Sequence, residues 1–268
     1  MNPVLIHEKA ELAAFLGKYP HFNYYHLGDL GVHYWPFTTW YAYKEAGEIL
    51  SVILFYTGMQ PPIILAIDNQ NLEHMQALAK SISPFLPSKF YAHLSPGLED
   101  IYQDTYHLTH HGEHYKMVLT DLAKLDEVGT SNVQSLNIQD LGELQDLYAI
   151  SYPNNWFDAR MLETGLYTGI RKNNKLVGVA GVHTYSPEYK AVAIGNITTH
   201  PDHRNQGIGT AVTAALCKKL LDTVDTIGLN VKSDNAAAIA AYKNLGFEEV
   251  AAYHEYMAEL KSRLHTNT

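Results

Sequence analysis

The chain has 268 residues, 46% of them hydrophobic, a single cysteine and a formal charge of −9. That length can bury a sizeable core, as one large domain or two modest ones; a lone cysteine excludes an intramolecular disulfide and a thiolate metal cluster; the acidic balance argues against a broad nucleic-acid-binding face. No run approaches the roughly 18 apolar residues of a membrane span, and the opening MNPVLIHEKAEL lacks the basic and apolar regions of a signal peptide. The expectation is a cytoplasmic protein without membrane or nucleic-acid partners.

Along the first half, HEKAELAAFLG (His7 to Gly17) and NQNLEHMQALAKSI (Asn69 to Ile82) carry helical periodicity. Between them EILSVILFYTGM (Glu48 to Met59) and PIILAI (Pro62 to Ile67) are β-branched, apolar and punctuated by glycine and proline, the pattern of strands. KFYAHL and KMVLT predict two more, so this half reads as a mixed α/β unit. The aromatic crowding of HFNYYHLGDLGVHYWPFTTWYAY fits core or interface packing, or the lining of an acceptor pocket. The histidines of HLTHHGEHY, His107, His110, His111 and His114, have a spacing that could suggest a metal site on a helix. Gly112 and the flanking alternation predict a hairpin turn instead, with adjacent histidines on opposite faces, and no metal is expected. The polar stretch LDEVGTSN (Leu125 to Asn132) reads as a linker. It divides the chain into residues 1–127 and 128–268.

Beyond it, VQSLN predicts a strand and IQDLGELQDLYAI a helix with Leu141, Leu144, Leu147 and Tyr148 on one side. LYTGI, the turn RKNN and KLVGVAGVHTY form an antiparallel hairpin, and AVAIGNITTH (Ala191 to His200) a third strand. From Ile208 to Leu221 the apolar residues Ile208, Val212, Ala215, Leu216 and Leu220 make one helical stripe that includes Cys217, read as a buried small hydrophobe. TIGLNV is a strand. NAAAIAAYKNLGF is a helix capped by Asp234 or Asn235 and stopped at Gly246, and VAAYHEYMAEL is a further strand.

HPDHRNQGIGTAV (His200 to Val212) joins the third strand to the stripe helix. Gly209 is followed by Thr210 and Ala211, so the lysine of a Walker loop is missing, and Val212 stands where a dinucleotide fingerprint needs its third glycine. What the two share survives: glycines let backbone N–H groups approach an anion at a helix N-terminus, where the dipole is positive. His203 and Arg204 add local positive charge.

Arg204, Gly207 and Gly209 in Arg-x-x-Gly-x-Gly, after a strand ending Thr-His-Pro, resemble the acyl-CoA motif of the GNAT superfamily of N-acyltransferases. SDNAAAIAAYKNLGF is similar to its second signature, an asparagine before a helix that carries a tyrosine and ends in Gly-Phe. The resemblance covers Val133 to Leu260. It implies an α/β fold, of the α+β mixed-sheet kind, with a central and mostly antiparallel sheet flanked by helices. The first half looks like a diverged GNAT-like α/β domain without its own cofactor motif.

By that resemblance the N–H groups of Asn205, Gln206, Gly207, Ile208, Gly209 and Thr210 would hold the CoA diphosphate, with Arg204 nearby. Ile197, Thr198 and Thr199 would lie along the pantetheine arm, on a strand that splays from its neighbour. Asn235 would bond the cofactor, the Ile197 N–H would stabilise the oxyanion, and Tyr242 would protonate the leaving sulfur. The family's glutamate near the start of the third strand falls here at about Ala193, which cannot be a base. His183, Glu188 and His254 are the ionisable candidates on neighbouring strands or turns. The implied activity is transfer of an acetyl or other acyl group from acetyl-CoA, without a metal, to the primary amine of a small molecule or peptide. The competing reading is a non-catalytic acyl-CoA-binding regulatory protein. A cleft between the two halves would be the natural acceptor site.

Overall fold

A computed structural model describes residues 3–153 and 155–261. The predicted α1 (Lys9–Leu16) and α3 (Leu72–Ile82) are present, and so are β3 (Glu48–Tyr56), β4 (Ile63–Ala66) and β5 (Lys89–Leu94). They are joined by β1 (Val4–Ile6), α2 (Pro20–Asp29), β2 (Thr38–Glu45) and the short helices α4 (Glu99–Gln103) and α5 (Ala123–Asp126). The second half runs β7 (Gln134–Leu136), α6 (Leu141–Ser151), β8 (Tyr167–Lys172), β9 (Lys175–Ser186), β10 (Ala191–Thr199), α7 (Ile208–Leu220), β11 (Thr226–Lys232), α8 (Ala236–Asn244) and β12 (Phe247–Leu260).

One element departs from the expectation. His107 to Leu119 belong to a single strand, β6 (Tyr106–Leu119), and not to a hairpin. Gly112 has φ +109, but the chain does not reverse there: Glu255 pairs with Gly112 and Tyr256 with His110, so His111 is one extra residue. The positive φ makes a bulge, which re-aims side chains without ending the strand.

All twelve strands share one mixed sheet in the order β1-β2-β3-β4-β5-β12-β6-β11-β10-β9-β8-β7. Its two parallel pairs are β4 with β5 and β10 with β11. The centre is interlocked. β12, last in sequence, lies between β5 and β6, and β6 pairs with β11 and β12. Each half of the chain thus places its final long strand against the other half's sheet, continuous across residue 127.

Helices cover both faces. α7 and α6 bury the predicted stripe on β8, β9 and β10, in a core that includes Leu144, Leu147, Val212, Leu216 and Cys217. Burial pushes the Cys217 thiol up to about 12, as for a small hydrophobe out of contact with water. α2 leaves the first half and packs on β9, β10 and β11. Its Tyr24 is fully buried and donates to the Leu229 carbonyl at 2.7 Å and to Asn230 Oδ1 at 2.6 Å. The aromatic-rich stretch therefore supplies interface packing, as with Tyr24, and part of a cavity wall described below.

Candidate active site

The His200–Val212 stretch forms a short turn of helix (Pro201–His203), an exposed loop and the start of α7. Asn205 (φ +59) and Gly207 (φ +72) are both left-handed, a conformation that asparagine tolerates and glycine adopts freely. The first backbone bond of α7 comes from the Ala211 N–H to the Gly207 carbonyl at 2.9 Å. Among the described residues, none of the N–H groups from Asn205 to Thr210 has a hydrogen-bond partner, and Asn205, Gln206 and Gly207 are exposed. Unpaired N–H groups at a helix N-terminus form a site of positive potential that can hold an anion. Lys172 adds a cation that sequence reasoning missed; its Nζ bonds Gln206 Oε1 at 2.6 Å. Arg204 is spent on structure, reaching the carbonyls of Thr199 at 3.3 Å and Ser151 at 3.4 Å.

In the first half the corresponding turn before α3 is already filled. The Asp68 carboxylate accepts from Gln70 N–H at 2.6 Å and Asn71 N–H at 3.1 Å. An anionic ligand would have to displace it.

β10 leads into the loop and parts from β11. The two pair from Ala191 to Ile194 only, whereas β11 continues to Lys232 against β6. From Gly195 to Thr199 the side of β10 that faces the opening is therefore not paired with β11. Asn196 (φ +52) and Ile197 form a bulge, skipped in the pairing with β9. The bulge is anchored from below: the Tyr148 hydroxyl donates to the Asn196 carbonyl at 2.8 Å, and Asn196 Nδ2 donates to the Tyr167 hydroxyl at 3.1 Å.

α8 lies beyond β11. Asn235, rather than Asp234, caps it, Oδ1 accepting from Ala238 N–H at 3.2 Å. Tyr242 packs on Phe247, ring centroids 6.0 Å apart. Its hydroxyl has no hydrogen-bond partner among the described residues, and burial raises its pKa, keeping it a proton donor through the neutral range.

A cavity of about 280 Å³ lies between the halves. Its wall includes Tyr25 and Asp29 from α2, Tyr91 and His93 from β5, Tyr152 and Trp156 after α6, His183 from β9, and Tyr253 and Glu255 from β12. Glu255, 9% exposed, is its best-coordinated polar group. It accepts from the Tyr91 hydroxyl at 2.5 Å and the Tyr253 hydroxyl at 2.8 Å, with His93 Nε2 at 3.5 Å and His114 Nε2 at 3.6 Å. Burial alone would push its carboxyl up, but these neighbours outweigh that and hold it below the usual range, so Glu255 is an anion at neutral pH. Burial lowers His93 and His183 to about 4, leaving both imidazoles neutral.

Comparison with known proteins decides the family. The profile of the Acetyltransferase (GNAT) family matches residues 133–247. The [Ribosomal protein bS18]-alanine N-acetyltransferase of Escherichia coli (strain K12) is 31% identical over 113 residues, 42% of this chain and 74% of that protein. The chain belongs to the GNAT acetyltransferase family. It is an acyltransferase. Two solved structures carry the fold likeness across both halves. A Drosophila protein superposes with a TM-score of 0.70 at 11% identity, covering 97% of this chain and 98% of its own. A GNAT-family acetyltransferase from Colwellia psychrerythraea gives 0.56 at 15%, covering 97% and 100%.

The bases suggested from sequence separate. His183 lines the cavity. Glu188 is exposed in the turn between β9 and β10, and His254 pairs with His110 at 3.1 Å at an exposed site, one residue out of phase with Tyr253 and Glu255. Of the β6 histidines, His111 and His114 reach the cavity. Ala193 is buried between β9 and β11 against Tyr24 and Val118. Glu255 went unnoticed in the sequence because its partners Tyr91 and His93 come from a strand more than 160 positions earlier; the only local signal is Tyr253 and Glu255 sharing one face of a strand.

Proposed function

We propose that the protein transfers an acetyl group from acetyl-CoA to a primary amine. The loop of Asn205 to Thr210 holds the diphosphate through its main-chain N–H groups, and the pantetheine arm follows the open edge of β10 past Thr199, Thr198 and Ile197. Asn235 offers its free Nδ2 to the cofactor. The thioester would then meet the amine beside β11, whose Asn230 and Lys232 line the cavity.

The acceptor enters as R–NH3⁺ and gives one proton to solvent. Its lone pair forms the C–N bond at the thioester carbon, and the Ile197 N–H stabilises the oxyanion in a preorganised site. Collapse breaks the C–S bond; Tyr242 gives its proton to the departing sulfur and is restored by the second proton from nitrogen. The products are the amide, free CoA thiol and one released proton. Neutral His183, on the cavity wall, can pass the first proton outward. The supporting observation is the run of unpaired N–H groups from Asn205 to Thr210, exposed at Asn205 to Gly207, beside a parted strand pair.

The test is calorimetric binding of CoA together with thiol release from acetyl-CoA in the presence of a panel of primary amines. Saturable CoA binding and amine-dependent release are expected. Saturable binding without release would favour a regulatory acyl-CoA binder, and no uptake at millimolar CoA would overturn the reading.

A further inference from the structure

The cavity carries more information about the acceptor than the cofactor loop does. Its volume of about 280 Å³ is at the small end for ligand sites, which suits a small molecule. The walls are aromatic: Tyr25, Tyr56, Tyr91, Tyr253 and Trp156. Trp156 packs on Tyr91 with ring centroids 4.9 Å apart, and Tyr91 donates directly to Glu255. The carboxylate therefore sits at one end of an aromatic lining, the arrangement that recognises an ammonium ion by charge and by the faces of the rings.

Positive charge is scarce there. Among the described residues that line the cavity, Lys232 is the one lysine or arginine, and it is half-exposed and pairs with Asp234 at 3.2 Å. Arg160, near the Tyr34 and Tyr56 end, is held by Asp158 through two contacts of 3.0 Å. His93, His114 and His183 are lowered by burial. Lys116 is absent from the lining, enclosed by the rings of Tyr24, Tyr25 and Phe22, and burial lowers it to about 7 against the pull of Asp29. A carboxylate on the carbon next to the amine would enter beside Glu255 and find, among the described lining residues, no lysine or arginine other than the Asp234-paired Lys232. The Tyr34 hydroxyl is buried on the wall without a protein partner among the described residues, so the lining is not closed on itself.

We infer that the acceptor is a small primary ammonium ion with an apolar or aromatic tail and no carboxylate beside its nitrogen, bound through Glu255. The inference rests on the acetyltransferase reading. It makes Glu255 the amine-binding residue: the anion gathers the protonated amine from solution, and the tail fills the tyrosine-lined space. Free α-amino acids and peptide N-termini fit less well. The first bring a second carboxylate close to Glu255. The second bring a chain too large for about 280 Å³, which would have to run outside the tyrosine-lined space.

The experiment uses the whole chain and a matched set: phenethylamine, phenylalanine, and a short peptide beginning with alanine. Thiol release from acetyl-CoA gives turnover. Tryptophan fluorescence gives binding without turnover, with Trp156→Phe identifying the signal from the cavity. Phenethylamine is expected to quench and to be acetylated, with phenylalanine lower in kcat/KM by on the order of a hundredfold, as expected for like charges brought together in a desolvated site. Glu255→Gln, which removes the charge and keeps an acceptor oxygen for one of the two tyrosines, is expected to raise KM for phenethylamine about tenfold or more while leaving the Kd for CoA unchanged. Acetylation of phenylalanine or the peptide as efficiently as phenethylamine would overturn the inference and leave the acetyltransferase reading standing. So would absence of both quenching and turnover with phenethylamine in protein that binds CoA. Failure to bind CoA would instead strike the reading itself, and the fluorescence titration would still decide whether the cavity takes the ammonium ion.

Discussion

Replacing Tyr242 by phenylalanine removes a hydroxyl that has no hydrogen-bond partner among the described residues and leaves the ring contact with Phe247 in place. Folding loses no bond, so the change in stability should stay within about 0.5 kcal/mol. Turnover should respond very differently, because general-acid help to a leaving group is typically worth about 10²- to 10⁴-fold, or about 2.7–5.4 kcal/mol of barrier. Tyr148→Phe is the matched control: its hydroxyl donates at 2.8 Å to the Asn196 carbonyl, and leaving that buried acceptor unpaired should cost about 1–3 kcal/mol. The assay is thiol release read with a chromogenic disulfide, beside urea unfolding of all three proteins. Cys217 is fully buried, so the reagent reads the released CoA. Since burial raises the Tyr242 pKa, the kcat profile of the unaltered enzyme should show no alkaline limb from this group in the neutral range. An unchanged kcat in Tyr242→Phe, or a urea midpoint lowered as far as in Tyr148→Phe, would refute the assignment.

Gly209→Asp should fold, since a Cβ there meets Thr199 Oγ1 at an ordinary 3.4 Å, yet it should weaken CoA binding by about tenfold or more in calorimetry by placing a carboxylate at the anion cradle. Unchanged affinity would mean that the diphosphate binds elsewhere. Gly246→Ala should destabilise the fold by about 1–3 kcal/mol in urea unfolding, because φ is +94 and its Cβ would sit 2.1 Å from the Asp121 carbonyl oxygen; a wild-type midpoint would contradict that geometry. Stability should also fall with acid. Burial lowers His26 to about 3 and His93 and His183 to about 4, so the unfolded chain binds more protons once pH drops below the ordinary histidine value of about 6.5. Glu255, depressed in the fold, acts in the same direction lower still, its contribution present above the ordinary carboxylate value and lost as pH falls through its folded one. Asp29, whose carboxyl burial pushes well up, acts the other way over this range and offsets part of the loss. Urea midpoints should still decline overall from pH 7 to 4.5, three imidazoles against one carboxyl, and a rising profile would refute the burial of these imidazoles.

Much of the second half was legible because its signals are local. Turn residues separate β8 from β9, the stripe of α7 has helical spacing, and Asn235 and Gly246 bracket α8 at the positions where cap and stop chemistry require them. The turn ahead of α7 was legible for the same reason: glycine placement and a following helix suffice to point to main-chain N–H groups left without partners. The pieces that escaped depend on partners distant in sequence. α2 hides among aromatics whose burial is set by β9, β10 and β11, contacts with no trace in its own spacing. β6 was split at Gly112 because a positive φ serves a bulge as readily as a turn, and only pairing with β12 distinguishes them. Glu255 acquires its character from Tyr91, His93 and His114, none of them within a hundred residues of it.

The exchange of final strands bears on how the molecule comes into being on the ribosome. β12 closes the gap between β5 and β6 and carries both Tyr253 and Glu255, so the cavity lacks these two wall residues until β12 has been synthesised and paired. Until then the inner edges of β5 and β6 stand open, liable to recruit a stray strand from another chain. The cavity is thus completed only when β12 docks, and a nascent chain arrested before β12 would be at its most aggregation-prone.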